Sequence, residues 1–126
     1  AARLRMMGKR VVIASGPVAA RFDVGQCWAR AEGGLPSMPP APGCAIPPQA
    51  RAVPVAWSDA LFAGFAGKGA TLVVRLDTLL CPDPAACPTI REGVPLYRDA
   101  HHLSAAGSAL VGRRLDLGRR LRDAAR

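Results

Sequence analysis

The segment from Leu96 to Ser104 places an acid and a histidine three residues apart, Asp99 and His102. A carboxylate beside an imidazole holds the ring in one tautomer and stabilises its protonated form. The other ring nitrogen is then free to take a proton from a hydroxyl nucleophile. The spacing therefore predicts an orienting acid and a general base. The alternative interpretation is a turn acid next to a surface histidine.

The best internal candidate for a nucleophile is Ser15, which directly follows the apolar run Val11–Ala14. A serine at the carboxyl end of a buried strand is where a nucleophile lies in a doubly wound fold. A triad of Ser15, His102 and Asp99 is therefore a second hypothesis. Ser104 and Ser108 are poorer candidates, because a hydroxyl that caps a helix is already bonded to backbone amides.

Two apolar runs rich in β-branched residues predict the strands that would position these residues. The first covers residues 9–15, and its continuous hydrophobicity favours a parallel strand buried on both faces. The second covers residues 71–76, with Asp77 at its end. Helices are predicted over residues 1–7, 57–66 and 104–124. The order helix, strand, helix, strand, helix implies an α/β layer sandwich with a parallel sheet.

Side-chain spacing predicts which helical faces are buried. Trp57, Leu61 and Phe65 recur every four residues, a pattern typical of a helix with one face packed on a sheet. Ser104 is the predicted cap of the C-terminal helix. A leucine stripe runs along that helix at positions 103, 110, 117 and 121. Residues 35–54 contain seven prolines, which excludes a helix interior or a central strand and predicts a long irregular loop.

The four cysteines predict two disulfides, which favours an oxidising, extracytoplasmic compartment. Cys81 and Cys87 flank a short loop bent by two prolines and are expected to pair. Cys27 and Cys44 then pair by elimination and anchor the proline-rich loop. No Cys-x-x-Cys pair occurs and the only two histidines are adjacent in another motif, so no structural zinc site is expected. No cofactor is expected either. Four reduced thiols in a cytosolic protein is the alternative.

Length and charge narrow the class of protein further. The 126 residues fit one small domain, and they include no apolar run long enough for a membrane span or a signal peptide. The formal net charge of +8 raises the possibility of nucleic-acid binding. The Arg-rich segment 113–126 nevertheless contains two aspartates, no aromatic residues and leucines at helical spacing. A solvated or interface-facing helix is therefore the preferred interpretation.

Several segments taken together resemble a known family. They are Gly8–Ile13, Pro17, Leu72–Asp77, the four cysteines and Tyr97–Gly107, of which the Asp99-x-x-His102-Leu-Ser run is the most specific. The chain resembles the SGNH (GDSL-like) domain fused to bacterial acyltransferase-3-type membrane proteins. The resemblance implies a flavodoxin-like three-layer α/β/α fold, an extracytoplasmic (periplasmic) location, and O-acylation or deacylation of cell-surface glycans. It also implies that His102 is the base and Asp99 the orienting acid.

The chain departs from the family pattern in two segments. The Gly-Asp-Ser nucleophile segment and the Gly-x-Asn-Asp oxyanion segment are absent, and the chain contains no asparagine. Residues 1–126 therefore resemble the C-terminal portion of an SGNH domain, whose expected partners are an ester substrate and an upstream membrane acyltransferase domain. Alone, the chain is expected to be inactive. The alternative function is a non-catalytic, disulfide-stapled module that binds a glycan or a protein partner.

Overall fold

The computed structural model describes residues 1–36, 42–83 and 85–126, so residues 37–41 of the predicted proline-rich loop lie outside the described part. Its helices are α1 (Ala2–Met6), α2 (Val24–Glu32), α3 (Val55–Gly67), α4 (Leu76–Leu80), α5 (Ala105–Arg114) and α6 (Leu117–Ala125). Its strands are β1 (Val12–Ala14), β2 (Leu72–Val74), β3 (Ile90–Arg91) and β4 (Val94–Pro95). No helix in these ranges is long and apolar enough to span a membrane.

The predicted parallel sheet is present as the pair β1 and β2, in which Ile13 lies opposite Val73. The α/β class is therefore confirmed, although within the described ranges the sheet has two strands and not the full three-layer sandwich. The expectation that β1 is buried on both faces is wrong. Val12 is 40% exposed and Ala14 is also exposed, because among the described residues β2 alone pairs with β1 and leaves much of it uncovered.

Helix α3 forms where predicted, but the predicted face is only partly buried. Trp57 is 60% exposed and Leu61 is 38% exposed, so these two residues do not pack on the sheet. Phe62, one position further along, lies beneath the Arg75 guanidinium, which is 5.0 Å from the ring centroid. Phe62 also meets Phe65 edge to face. The face that contacts the sheet region is thus rotated by one residue from the predicted one.

The sequence predicted one continuous helix over residues 104–124, and this prediction is wrong, because two helices form there. Ser104 does cap α5, since its Oγ accepts the N–H of Gly107 at 2.9 Å. The helix then ends at Arg114, and Asp116 adopts a left-handed conformation with φ of 45° before α6 begins. A left-handed residue cannot continue the i to i−4 hydrogen bonds of a right-handed helix, so the leucine stripe continues on a separate helix.

Helix α2, helix α4 and the hairpin of β3 and β4 were not predicted. Asp23 caps α2, since its side chain accepts the N–H of Gln26 at 2.8 Å, and α2 buries Val24 and Cys27. Strands β3 and β4 form a hairpin whose two turn residues, Glu92 and Gly93, both have positive φ. This is the conformation that a tight two-residue hairpin requires.

The main core lies where these short elements meet, and Val24, Ile46, Leu80 and Leu96 are almost completely buried within it. Both predicted disulfides are present: Cys27 pairs with Cys44 and Cys81 with Cys87. Ile46 and Cys87 exchange backbone hydrogen bonds of 3.0 and 3.1 Å, which joins the proline-rich loop to the second disulfide.

Candidate active site

Residues 97–103 form a closed loop between the hairpin and α5. Tyr97 and Leu103 form an antiparallel bridge at its base. Inside the loop the Arg98 N–H donates to the His102 carbonyl at 2.9 Å. Tyr97 is 2% exposed, and its burial raises the pKa of its hydroxyl. The loop therefore has a buried anchor at its start and an internal hydrogen bond that fixes its curvature.

The predicted acid and histidine are in direct contact. Both carboxylate oxygens of Asp99 lie 3.0 Å from His102 Nδ1. The His102 side chain is 66% exposed, and among the described residues its Nε2 has no hydrogen-bond partner. This is the arrangement that orients an imidazole and leaves Nε2 available for proton transfer.

Four donors hold the Asp99 carboxylate in its ionised form. The backbone N–H of His101, at 2.8 Å from Oδ1, contributes most, and the N–H and ring of His102 and the Arg98 guanidinium add to it. Together they hold the pKa of Asp99 well below its usual value.

We expect the Asp99 carboxyl to titrate clearly below the ordinary aspartate pKa of about 3.9. Because its folded-state pKa is depressed, its contribution to stability is complete above that ordinary value and is lost as the pH falls through the lower folded-state pKa. Carboxyl ¹³C NMR against pH measures the titration, and an Asp99→Asn sample assigns the signal. A midpoint at or above the ordinary value would contradict the geometry.

Backbone packing from two helices holds this loop in place. A Cβ on Gly25 of α2 would lie 1.9 Å from the Arg98 carbonyl oxygen, and one on Gly107 of α5 would lie 2.4 Å from the Leu96 oxygen. Both helices therefore approach the loop at distances that only glycine allows. In addition, the Ala20 N–H donates to the Ala100 carbonyl at 2.8 Å. Ala20 lies on the segment that follows the carboxyl end of β1. Its hydrogen bond to Ala100 therefore links the loop to that end of the sheet.

Ser15 does not contact His102 and belongs to a different cluster. Its Oγ donates to Asp77 Oδ1 at 2.8 Å and accepts the Asp77 N–H at 3.1 Å. The hydroxyl has one proton, and this proton is committed to Asp77. Ser15 is also only 6% exposed. The structure therefore does not bring together the hypothetical triad of Ser15, His102 and Asp99.

The Ser15 cluster is an ionic network at the carboxyl ends of β1 and β2. Arg75 contacts Asp77 at 2.8 Å and Asp59 at 2.7 Å. Burial pushes the pKa of Asp77 upward, but the hydrogen bonds from Arg75 and Ser15 outweigh burial, and the pKa lies below its usual value. Asp77, predicted to lie at a strand end, is in the first turn of α4.

A cleft of about 270 Å³ opens beside this network. One wall is apolar, with Val53, Trp57 and Leu61, while Ser15 and Asp77 contribute polar groups. Asp99 and His102 are not among its lining residues, but the cleft includes Pro17 to Ala19, immediately before Ala20. No signal in the sequence indicated this cleft, because the spacing predicted that Trp57 and Leu61 would pack on the sheet.

The described residues offer no site for a metal ion, since no group of three or more His, Cys, Asp or Glu side chains converges there. Gly25, Gly107 and Ala20, which position the loop, were missed by the sequence analysis. Their roles depend on backbone contacts between segments far apart in the chain, which residue types alone do not reveal.

A small parallel α/β domain with an exposed acid and histidine pair is the class that the geometry defines. The family model of the SGNH domain (fused to AT3 domains) matches residues 1–116. The chain belongs to this family, as its sequence motifs predicted. Neither the search of curated proteins nor that of solved structures gives a match.

Proposed function

We propose that this domain supplies the general base and its orienting acid for acyl transfer to or from an ester on a cell-surface glycan. The observation that carries the proposal is the contact of both Asp99 carboxylate oxygens with His102 Nδ1 at 3.0 Å. The exposed ring leaves Nε2 accessible to a substrate or to a second segment of protein.

In the proposed reaction a serine hydroxyl attacks the ester carbonyl while His102 Nε2 takes its proton. A C–O bond forms, and the tetrahedral intermediate carries the negative charge on the former carbonyl oxygen. The intermediate then expels the alcohol, which receives the proton from the imidazolium. Asp99 remains ionised throughout and stabilises the positive ring, as its depressed pKa favours.

The nucleophile and the oxyanion donors are proposed to come from outside residues 1–126. Ser15 is a poor source because its proton is donated to Asp77. The chain contains no asparagine that could donate an amide hydrogen bond to the oxyanion. The catalytic centre would then be completed when these residues meet His102.

The proposed location is extracytoplasmic, beside a membrane acyltransferase domain. Two disulfides, with no free cysteine in the described ranges, favour an oxidising compartment. The family is defined by fusion to AT3 domains, which makes such a domain the proposed partner and source of acyl groups.

The test is to introduce His102→Ala into the native gene and to measure the acyl content of the surface glycans by NMR. We expect His102→Ala to change the acyl content of the glycans as much as deletion of the gene does. His101→Ala is the matched control, because His101 contributes its backbone N–H to Asp99, which alanine retains. If acylation is unchanged in the His102→Ala variant, Asp99 and His102 have only a structural role in the turn, and the proposal is wrong.

The purified 126-residue chain provides the second measurement. It should hydrolyse nitrophenyl esters no faster than its His102→Ala variant, since no hydroxyl among the described residues is hydrogen-bonded to the His102 ring. Turnover that disappears with Ser15→Ala would contradict this and restore Ser15 as the nucleophile.

A further inference from the structure

The formal net charge of this protein comes entirely from two segments, residues 1–10 and 113–126. These segments contain ten of the 17 Lys and Arg residues but two of the nine Asp and Glu residues, which gives them the entire net charge of +8. Residues 11–112 contain seven residues of each sign and are formally neutral. A distribution this uneven creates a strong local field on one part of the molecule.

The two segments meet in the folded chain. Arg10 Nη2 donates to the Arg126 carbonyl oxygen at 2.7 Å. All ten residues of the first segment are exposed, and α6 contains no buried residue. We call the side chains of residues 1–10 and 113–126 the basic terminal surface.

Exposed apolar side chains accompany the charges. Met6 is 88% exposed, Met7 64%, Leu4 48% and Leu121 39%. In α6, Leu117 and Leu121 are four residues apart and share one face of the helix, with arginines at positions 119, 120 and 122. A helix with apolar residues on one side and arginines around them is typical of a segment that lies in a membrane interface.

We propose that the basic terminal surface binds an anionic phospholipid bilayer. Arginines would contact lipid phosphates, and the exposed methionines and leucines would enter the region between headgroups and acyl chains. Single-stranded nucleic acid is the less suitable partner, because the two segments contain no aromatic residue on which a base could stack. The inference depends on charge and exposure alone and is independent of the proposed ester chemistry.

The experiment is co-sedimentation of the purified chain with phosphatidylcholine vesicles that contain or lack phosphatidylglycerol. We expect binding to the anionic vesicles that weakens as salt screens the charges, and little binding to the neutral ones. Each Lys or Arg near an anionic surface strengthens binding about fivefold. The double variant Arg120→Gln and Arg122→Gln should therefore bind about 25-fold more weakly.

The double variant Gln26→Glu and Gln49→Glu is the control for net charge. It lowers the net charge by the same two units, through negative charges added at exposed positions elsewhere. It should weaken binding much less. Leu121→Gln tests insertion without a change of charge, and Val53→Gln, at a residue 43% exposed outside the basic terminal surface, is its match. Leu121→Gln should reduce binding and Val53→Gln should not.

Three outcomes would overturn the proposal. The first is binding to anionic vesicles that is no stronger than binding to neutral ones. The second is equal loss of binding in the arginine and glutamine variants, which would show that only total charge matters. The third is tighter binding to a single-stranded oligonucleotide than to the vesicles, together with no effect of Leu121→Gln. Circular dichroism of each variant separates loss of binding from loss of folding, and the comparison of vesicle types with the unmodified chain needs no variant.

Discussion

Gly107→Ala is expected to lower the free energy of unfolding by about 2 to 3 kcal/mol, the usual cost of forcing an atom into a packed site. The new methyl carbon would lie 2.4 Å from the Leu96 oxygen and 2.8 Å from its Cα, and these are backbone atoms that no rotamer change can move. The same oxygen accepts the Ser104 N–H at 2.9 Å. Displacement of Leu96 would therefore also disturb the base of the loop that carries Asp99 and His102. Urea unfolding followed by circular dichroism measures the change.

Gly112→Ala, on the same helix, is the matched control. Apart from its chain neighbours and the backbone of α5, no described atom lies within 4 Å of the Cβ that it would add, so the higher helix propensity of alanine should raise stability by up to about 1 kcal/mol. The two substitutions are chemically identical and differ only in what the methyl group meets. A Gly107→Ala variant as stable as the Gly112→Ala variant would mean that α5 does not pack closely on Leu96.

Local sequence patterns predicted the parts of this molecule that local physics determines. The runs around Val12 and Val73 formed a parallel pair because β-branched apolar residues favour strands. Ser104 capped α5 because its hydroxyl satisfies a free backbone amide. The contact of Asp99 with His102 followed from their spacing within one short loop.

Local patterns did not reveal features that contacts between distant segments, or one unusual backbone conformation, decide. Spacing along α3 could not show that Phe62 would lie under Arg75 while Trp57 stayed exposed. Position alone made Ser15 a candidate nucleophile and could not show its hydrogen bond to Asp77, which is 62 residues away. The left-handed Asp116 that separates α5 from α6 has no glycine to signal it.

Removal of the Cys27–Cys44 disulfide by substituting both cysteines with alanine should cost about 3 kcal/mol. The bridge joins residues 17 apart in sequence, and its loss frees the intervening loop in the unfolded chain. It also ties α2 to a polar relay in which Trp28 Nε1 donates to Thr89 Oγ1, and Thr89 Oγ1 donates to the Cys44 carbonyl. Urea unfolding measures the loss. Hydrogen exchange at the Ile46 N–H, bonded to the Cys87 carbonyl, should become faster.

The same substitutions at Cys81 and Cys87 give the comparison, because this bridge closes only six residues. Chain entropy then assigns it a smaller contribution, about 2 kcal/mol. Cys44 and Cys87 are both completely buried, whereas Cys27 is 8% exposed and Cys81 is half-buried, so the difference between the variants reports on loop length together with the deeper burial of Cys27. If removal of the shorter bridge costs as much as removal of the longer one, closure of the proline-rich loop is not what stabilises this side of the domain.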